Sequence, residues 1–119
     1  MSTAAFAATA FVALLHVYFL VLEMFLWTKP YGRRVFGLTP EKAEMSRSLA
    51  ANQGLYNGFL AAGLAWGLSL GADGYAIKLF FLGCVIIAGI FGAATASRKI
   101  LYVQAVPGAI ALALMCLAK

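Results

Sequence analysis

Four long apolar runs, parted by short polar segments, make up most of the chain. They cover approximately residues 4–27, 48–70, 75–96 and 100–117. At ~1.5 Å of rise per helical residue, runs of this length suit a hydrocarbon core of ~30 Å. None of them alternates apolar and polar residues with period two, as a membrane strand with a polar lumen face would. The pattern predicts an all-α fold. It is an integral membrane four-helix bundle with antiparallel, up-down connectivity, in a single transmembrane domain over residues 1–119 with a loop at 28–47.

The punctuation between runs refines this picture. Pro30 and Gly32 are expected to end helix one. Thr39-Pro40-Glu41 reads as a helix start: the Thr side chain caps free N–H groups, Pro fits the first turn and Glu complements the dipole. Helix two is therefore expected to begin there and to enter the bilayer near Arg47. Gly71-Ala72-Asp73-Gly74 reads as a tight turn, which makes helices two and three antiparallel neighbours. Pro107 lies inside the fourth run and leaves the Val103 carbonyl without its helical donor, so a kink is expected. Helix two also carries small residues at spacings of four: Gly54, Gly58 and Ala62 in one series, Gly63, Gly67 and Gly71 in another. Such stripes let helices approach closely in lipid, either within one chain or as a homo-oligomer interface.

Composition supports lipid as the solvent. Apolar residues make up 64% of the 119 residues and charged residues only 11%, against roughly a quarter charged in a soluble domain. The net charge of +5 does not point to nucleic acid, because the basic residues flank apolar runs. Lys29, Arg33, Arg34, Lys42 and Arg47 lie in the first loop, with Glu41 and Glu44, and Arg98 and Lys99 in the short link before the fourth run. The opposite side carries Lys78 and Lys119 as its basic side chains. The positive-inside rule then predicts a multi-pass protein of the bacterial inner membrane, with both basic loops cytoplasmic and both termini periplasmic. Arg33 and Arg34 are read as topology and headgroup contacts rather than a substrate clamp. The N-terminal residues lack the basic start of a cleavable signal peptide, and the first run ends in a stop-transfer pattern. Cys84 and Cys116 both sit within apolar runs, which suits buried side chains rather than a disulfide framework.

Polar residues inside spans are few and therefore informative. His16 and Glu23 are seven residues apart on helix one, so they share a face about 10.5 Å apart along the axis. Helix two contributes Asn52, Gln53, Tyr56 and Asn57, and the fourth run contributes Gln104. Measured from the cytoplasmic ends, His16 and Asn57 fall roughly 15 Å deep, and Glu23, Asn52, Gln53 and Gln104 roughly 5–9 Å deep. The expected site is a polar pocket in the cytoplasmic half, with His16, Glu23, Asn52, Gln53, Asn57 and Gln104 as ligand-binding candidates. Glu23 has a competing structural role: it could snorkel, or pair with Arg47, Arg98 or Lys99. His16, Asn52, Gln53 and Asn57 could equally act as interhelical glue.

No H-E-x-x-H, C-x-x-C, P-loop or G-x-S-x-G motif occurs. With one His and few carboxylates, neither a metal site nor a cofactor is predicted.

These residues also carry a resemblance. His16 with Leu22-Glu23-Met24-Phe25-Leu26-Trp27, Val35-Phe36-Gly37-Leu38-Thr39-Pro40, and Ala51-Asn52-Gln53-Gly54-Leu55-Tyr56-Asn57-Gly58-Phe59 form its first part. Phe80-Phe81-Leu82-Gly83-Cys84, Ala88-Gly89-Ile90-Phe91-Gly92, Ser97-Arg98-Lys99-Ile100-Leu101, Gln104 and Pro107 complete it. Over nearly its whole length the chain resembles the small bacterial membrane-protein family called domain of unknown function 1304. The resemblance implies a four-helix inner-membrane protein and brings no established activity. A fainter similarity, through Arg47 and Asn52 on helix two, is to trimeric four-helix membrane enzymes of glutathione and eicosanoid metabolism. The further Arg, Glu and Pro of that motif are missing here.

Three functional readings follow. In the first, the buried polar site binds or transports a small polar ligand, proton or cation. In the second, the protein is a membrane-embedded enzyme, an isomerase or transferase on a lipophilic substrate, with Glu23 or His16 as acid–base. In the third, it is a structural or accessory subunit whose polar groups only hold helices together.

Overall fold

The computed structural model describes residues 2–118. Lys119, counted above as an outer basic residue, lies outside them, as does Met1 at the head of the segment read for a leader. The described residues form helices and turns and no strand. In order these are α1 (Thr3–Met24), α2 (Pro30–Phe36), α3 (Pro40–Met45), α4 (Arg47–Ser69), a 3-10 turn (Gly71–Gly74), α5 (Tyr75–Thr95), a π turn (Leu101–Ala105) and α6 (Val106–Ala118). Two segments are long and apolar enough to cross a membrane, Thr3–Met24 and Gly71–Thr95, and Leu101–Leu117 is a shorter apolar helix. The chain divides into two compact units. One is Leu15–Phe59, and the other joins the segment up to Leu14 with that from Leu60 onward.

In the second of these units, all four long segments contribute to one apolar core. Ala5, Val12 and Ala13 come from α1, Leu64 from α4, Leu82 and Val85 from α5, and Ala111 and Met115 from α6. The α4–α5 hairpin closes through glycine. Gly71 takes a positive φ of 60°, a left-handed conformation that only Gly adopts without strain. A Cβ built on Gly63 would strike the Phe81 ring, and one on Gly67 would lie 2.6 Å from Lys78 Cγ. The two contacts run in opposite chain directions, as expected for antiparallel neighbours.

Lys78 is buried to 1% exposure. Its stem lies over Gly67 and its Nζ donates to the Gly71 carbonyl at 3.2 Å. A cation there meets the free carbonyls at the end of α4.

The kink expected at Pro107 takes the form of the π turn. The Val106 N–H reaches back to the Leu101 carbonyl, so the wider turn absorbs the step that Pro107 forces on the hydrogen-bond ladder. Gly89 makes room for it: a Cβ there would come within 2.6 Å of the Ala105 backbone nitrogen.

The unit Leu15–Phe59 corrects three expectations. Helix one ends at Met24, not near Trp27, and Pro30 begins a helix instead of ending one. Proline suits the first helical position because its missing N–H is an orphan there in any case. Helix α2 stops at Gly37, which has a φ of 64° and whose N–H reaches the Arg33 carbonyl. The Thr39 cap forms as expected, with Thr39 Oγ1 accepting from the Lys42 N–H at 3.2 Å. Helix α3 does not run on into α4, however: it breaks at Ser46. The Ser46 hydroxyl donates to the Lys42 carbonyl at 2.7 Å and accepts from Trp27 Nε1 at 3.0 Å. A side chain that bonds its own helix's carbonyls competes with the backbone ladder.

Candidate functional site

Helices α1 and α4 lie in close register within the unit Leu15–Phe59, and glycine on α4 makes this possible. A Cβ on Gly54 would fall 2.5 Å from Met24 Cγ and 3.2 Å from Glu23 Cβ. One on Gly58 would fall 2.7 Å from Leu20 Cδ1. The glycine stripe at these two positions is thus filled by α1 side chains of the same chain. One turn on from Gly54, Asn57 points its amide at α1. Its Nδ2 donates to Glu23 Oε1 at 2.5 Å. Both side chains are half-buried.

This geometry keeps only part of the depths inferred from the sequence. Those placed Glu23 level with Asn52 and Gln53, and Asn57 level with His16. The structure sets Glu23 beside Gly54 and bonds it to Asn57, about one helical turn along, ~5 Å. With the helix stopping at Met24, three residues short, Glu23 sits in its last turn. Asn52 and Gln53 are exposed on α4. Glu23 takes its hydrogen bond from Asn57, while Arg47, one of its expected partners, pairs with Glu44 at 3.4 Å.

His16 lies two turns before Glu23 on α1 and is fully buried. Its ring meets Phe19 edge-on, with centroids 5.2 Å apart. Gln104 belongs to the other unit, where it is half-buried on the π turn. The structure therefore joins Glu23 with Asn57 and leaves Asn52 and Gln53 at the surface of α4. Among the described residues, no three His, Cys, Asp or Glu side chains gather as a metal site requires.

Two polar side chains escaped the reading of the sequence. Lys78 counts in the sequence only as a basic residue of the outer side, and its burial depends on the gap at Gly67. Thr9 on α1 is fully buried, and its hydroxyl has no hydrogen-bond partner. A single Thr in an apolar run gives no sequence signal of its own.

Chemically, the Glu23–Asn57 pair is a carboxyl group held by an amide, with a second carboxyl oxygen left to accept a proton, cation or polar solute. In a largely apolar chain such a pair is expensive to bury and is a functional candidate by default.

The family model described as Protein of unknown function (DUF1304) matches residues 10–116. An "Uncharacterized protein YpaA" from Lactococcus lactis subsp. lactis (strain IL1403) is 32% identical over 95 residues, covering 78% of this chain and 80% of that protein. No solved structure matches the chain.

Proposed function

The chain belongs to the DUF1304 family, and from that premise we propose that it is a multi-pass inner-membrane protein that binds a small polar ligand, proton or cation at Glu23. The single observation that carries this reading is the interhelical Asn57–Glu23 hydrogen bond. It holds a carboxyl group in place between two glycine-spaced helices.

Four spans, α1, α4, α5 and the stretch from the π turn through α6, make up the proposed bundle. Large apolar side chains on these helices face outward: Leu14 at 68% exposure, Ile87 at 70%, and Phe11, Phe80 and Phe91 besides. A belt of this kind is unfavourable in water and suits lipid. Helix α4 falls outside the pair of segments apolar enough to cross alone. Its polar residues Arg47, Asn52, Gln53 and Asn57 all lie in its first half, where a cytoplasmic-side site would place them. Positive charge in both loops of one side orients the bundle with its termini outside.

The test is a panel of cations and small polar solutes added to the purified protein in nanodiscs, read as a shift in unfolding temperature. A solute that stabilises the wild type and not Glu23→Gln supports the reading. A solute that stabilises both equally removes Glu23 from the site.

A further inference from the structure

The segment between α1 and α4 carries chemistry that the Glu23 site does not use. From Thr28 to Leu38 it holds Lys29, Arg33 and Arg34 and no acidic residue. Helix α2 is fastened against α1 by the Tyr18 and Tyr31 hydroxyls, which share a hydrogen bond at 2.6 Å. The Arg34 guanidinium stands over the Tyr31 ring, 5.8 Å from its centroid. Arg33 Nε donates to the Thr28 carbonyl at 3.2 Å, which fixes the guanidinium and leaves its terminal nitrogens for another acceptor. Beside these cations Phe36 is exposed, and so is Tyr31. Aromatic rings next to fixed guanidinium groups, on a short helix tied to the end of a span, match the chemistry of the bilayer interface.

We propose that the α2 segment is a binding site for one anionic phospholipid, whose phosphate is held by Arg33 and Arg34 and whose glycerol and upper acyl region lies against Tyr31 and Phe36. Charge complementarity selects the occupant. Three cations within residues 28–38, a stretch with no carboxylate of its own, attract a phosphodiester with net negative charge, and a zwitterionic headgroup gains little from them. The nearby Arg47 is already paired with Glu44, so it does not add to the site. The proposal rests on the membrane reading above and is independent of whether Glu23 binds anything.

The experiment is native mass spectrometry of the full chain from nanodiscs holding equal amounts of phosphatidylglycerol and phosphatidylcholine. The wild type should retain phosphatidylglycerol in clear preference. Each basic residue near an anionic surface is worth roughly a factor of five, so Arg33→Gln/Arg34→Gln should weaken that preference by about twenty-five-fold. Arg47→Gln and Glu23→Gln should leave it unchanged. Should the double variant fail to fold, Tyr18→Phe keeps both arginines and releases α2, and it too should lower the preference. Equal retention of the two lipids by the wild type would overturn the site while leaving the membrane reading intact. Retention of neither lipid would overturn both. Inorganic phosphate that competes off the bound lipid at low millimolar concentration would show a bare anion site, and would overturn the lipid assignment.

Discussion

Replacing Asn57 with Leu and Glu23 with Met, singly and together, measures how much the pair contributes. Both substitutions keep side-chain length and remove the polar groups. Interhelical hydrogen bonds in membranes average about 0.6 kcal/mol and reach about 1.7 kcal/mol. An ionised carboxylate acceptor strengthens such a bond roughly twofold relative to a neutral one. The half-burial of both side chains lets water and headgroups compete and pulls the value back. The coupling should therefore lie near 1 kcal/mol. Asn57→Leu alone leaves a half-buried carboxyl group without its donor and should be the most damaging variant. In the double variant neither partner is left unsatisfied, so its loss should be smaller than the sum of the single losses. Reversible unfolding by sodium dodecyl sulfate from mixed micelles reads all four proteins under one condition. Losses that add to within about 0.3 kcal/mol would mean that the two side chains do not interact, and the site as described would not exist.

Three further outcomes check the packing within the two units. Gly54→Val should destabilise strongly, because the new Cβ meets Met24 and Glu23 at 2.5 and 3.2 Å. Gly83→Ala, where nothing lies within 4 Å, should be neutral or stabilise by up to about 1 kcal/mol; both are read in the same unfolding assay. Water-soluble acylating reagents should modify Lys29 and Lys42, which are exposed, and should reach Lys78 only after unfolding, as peptide mapping by mass would report. Early acylation of Lys78 would contradict its burial beneath the α4–α5 turn.

Much of this architecture was legible in the runs of apolar residues. The third apolar run covers 75–96 and the helix is Tyr75–Thr95; the second covers 48–70 and the helix is Arg47–Ser69. Hydropathy misplaced the end of helix one because Phe25, Leu26 and Trp27 continue the apolar pattern while serving a turn. Trp27 spends its ring on Phe36, 4.6 Å away, and its N–H on Ser46, and both partners lie in the loop. Pro30 was ambiguous for a different reason. Its fixed φ suits both the start of a helix and the turn after one, and only Gly37 in its left-handed conformation shows which applies. Glu23 does lie beside Gly54, next to Gln53, close to the level that its depth implies, but depth along an axis does not show which face a side chain takes: Asn57 faces α1, while Asn52 and Gln53 are exposed. Lys78 shows what local patterns cannot hold. Its burial depends on a glycine eleven residues earlier in the chain, across a hairpin.

The most direct test of the central claim is native mass spectrometry of the protein gently extracted from its own membrane, with metal analysis of the same sample. The account predicts a small molecule or cation bound to the wild type and lost in Glu23→Gln, with the subunit mass showing whether the bound form is a monomer or an oligomer. A wild type that carries no ligand, or a ligand that Glu23→Gln retains in full, would contradict it.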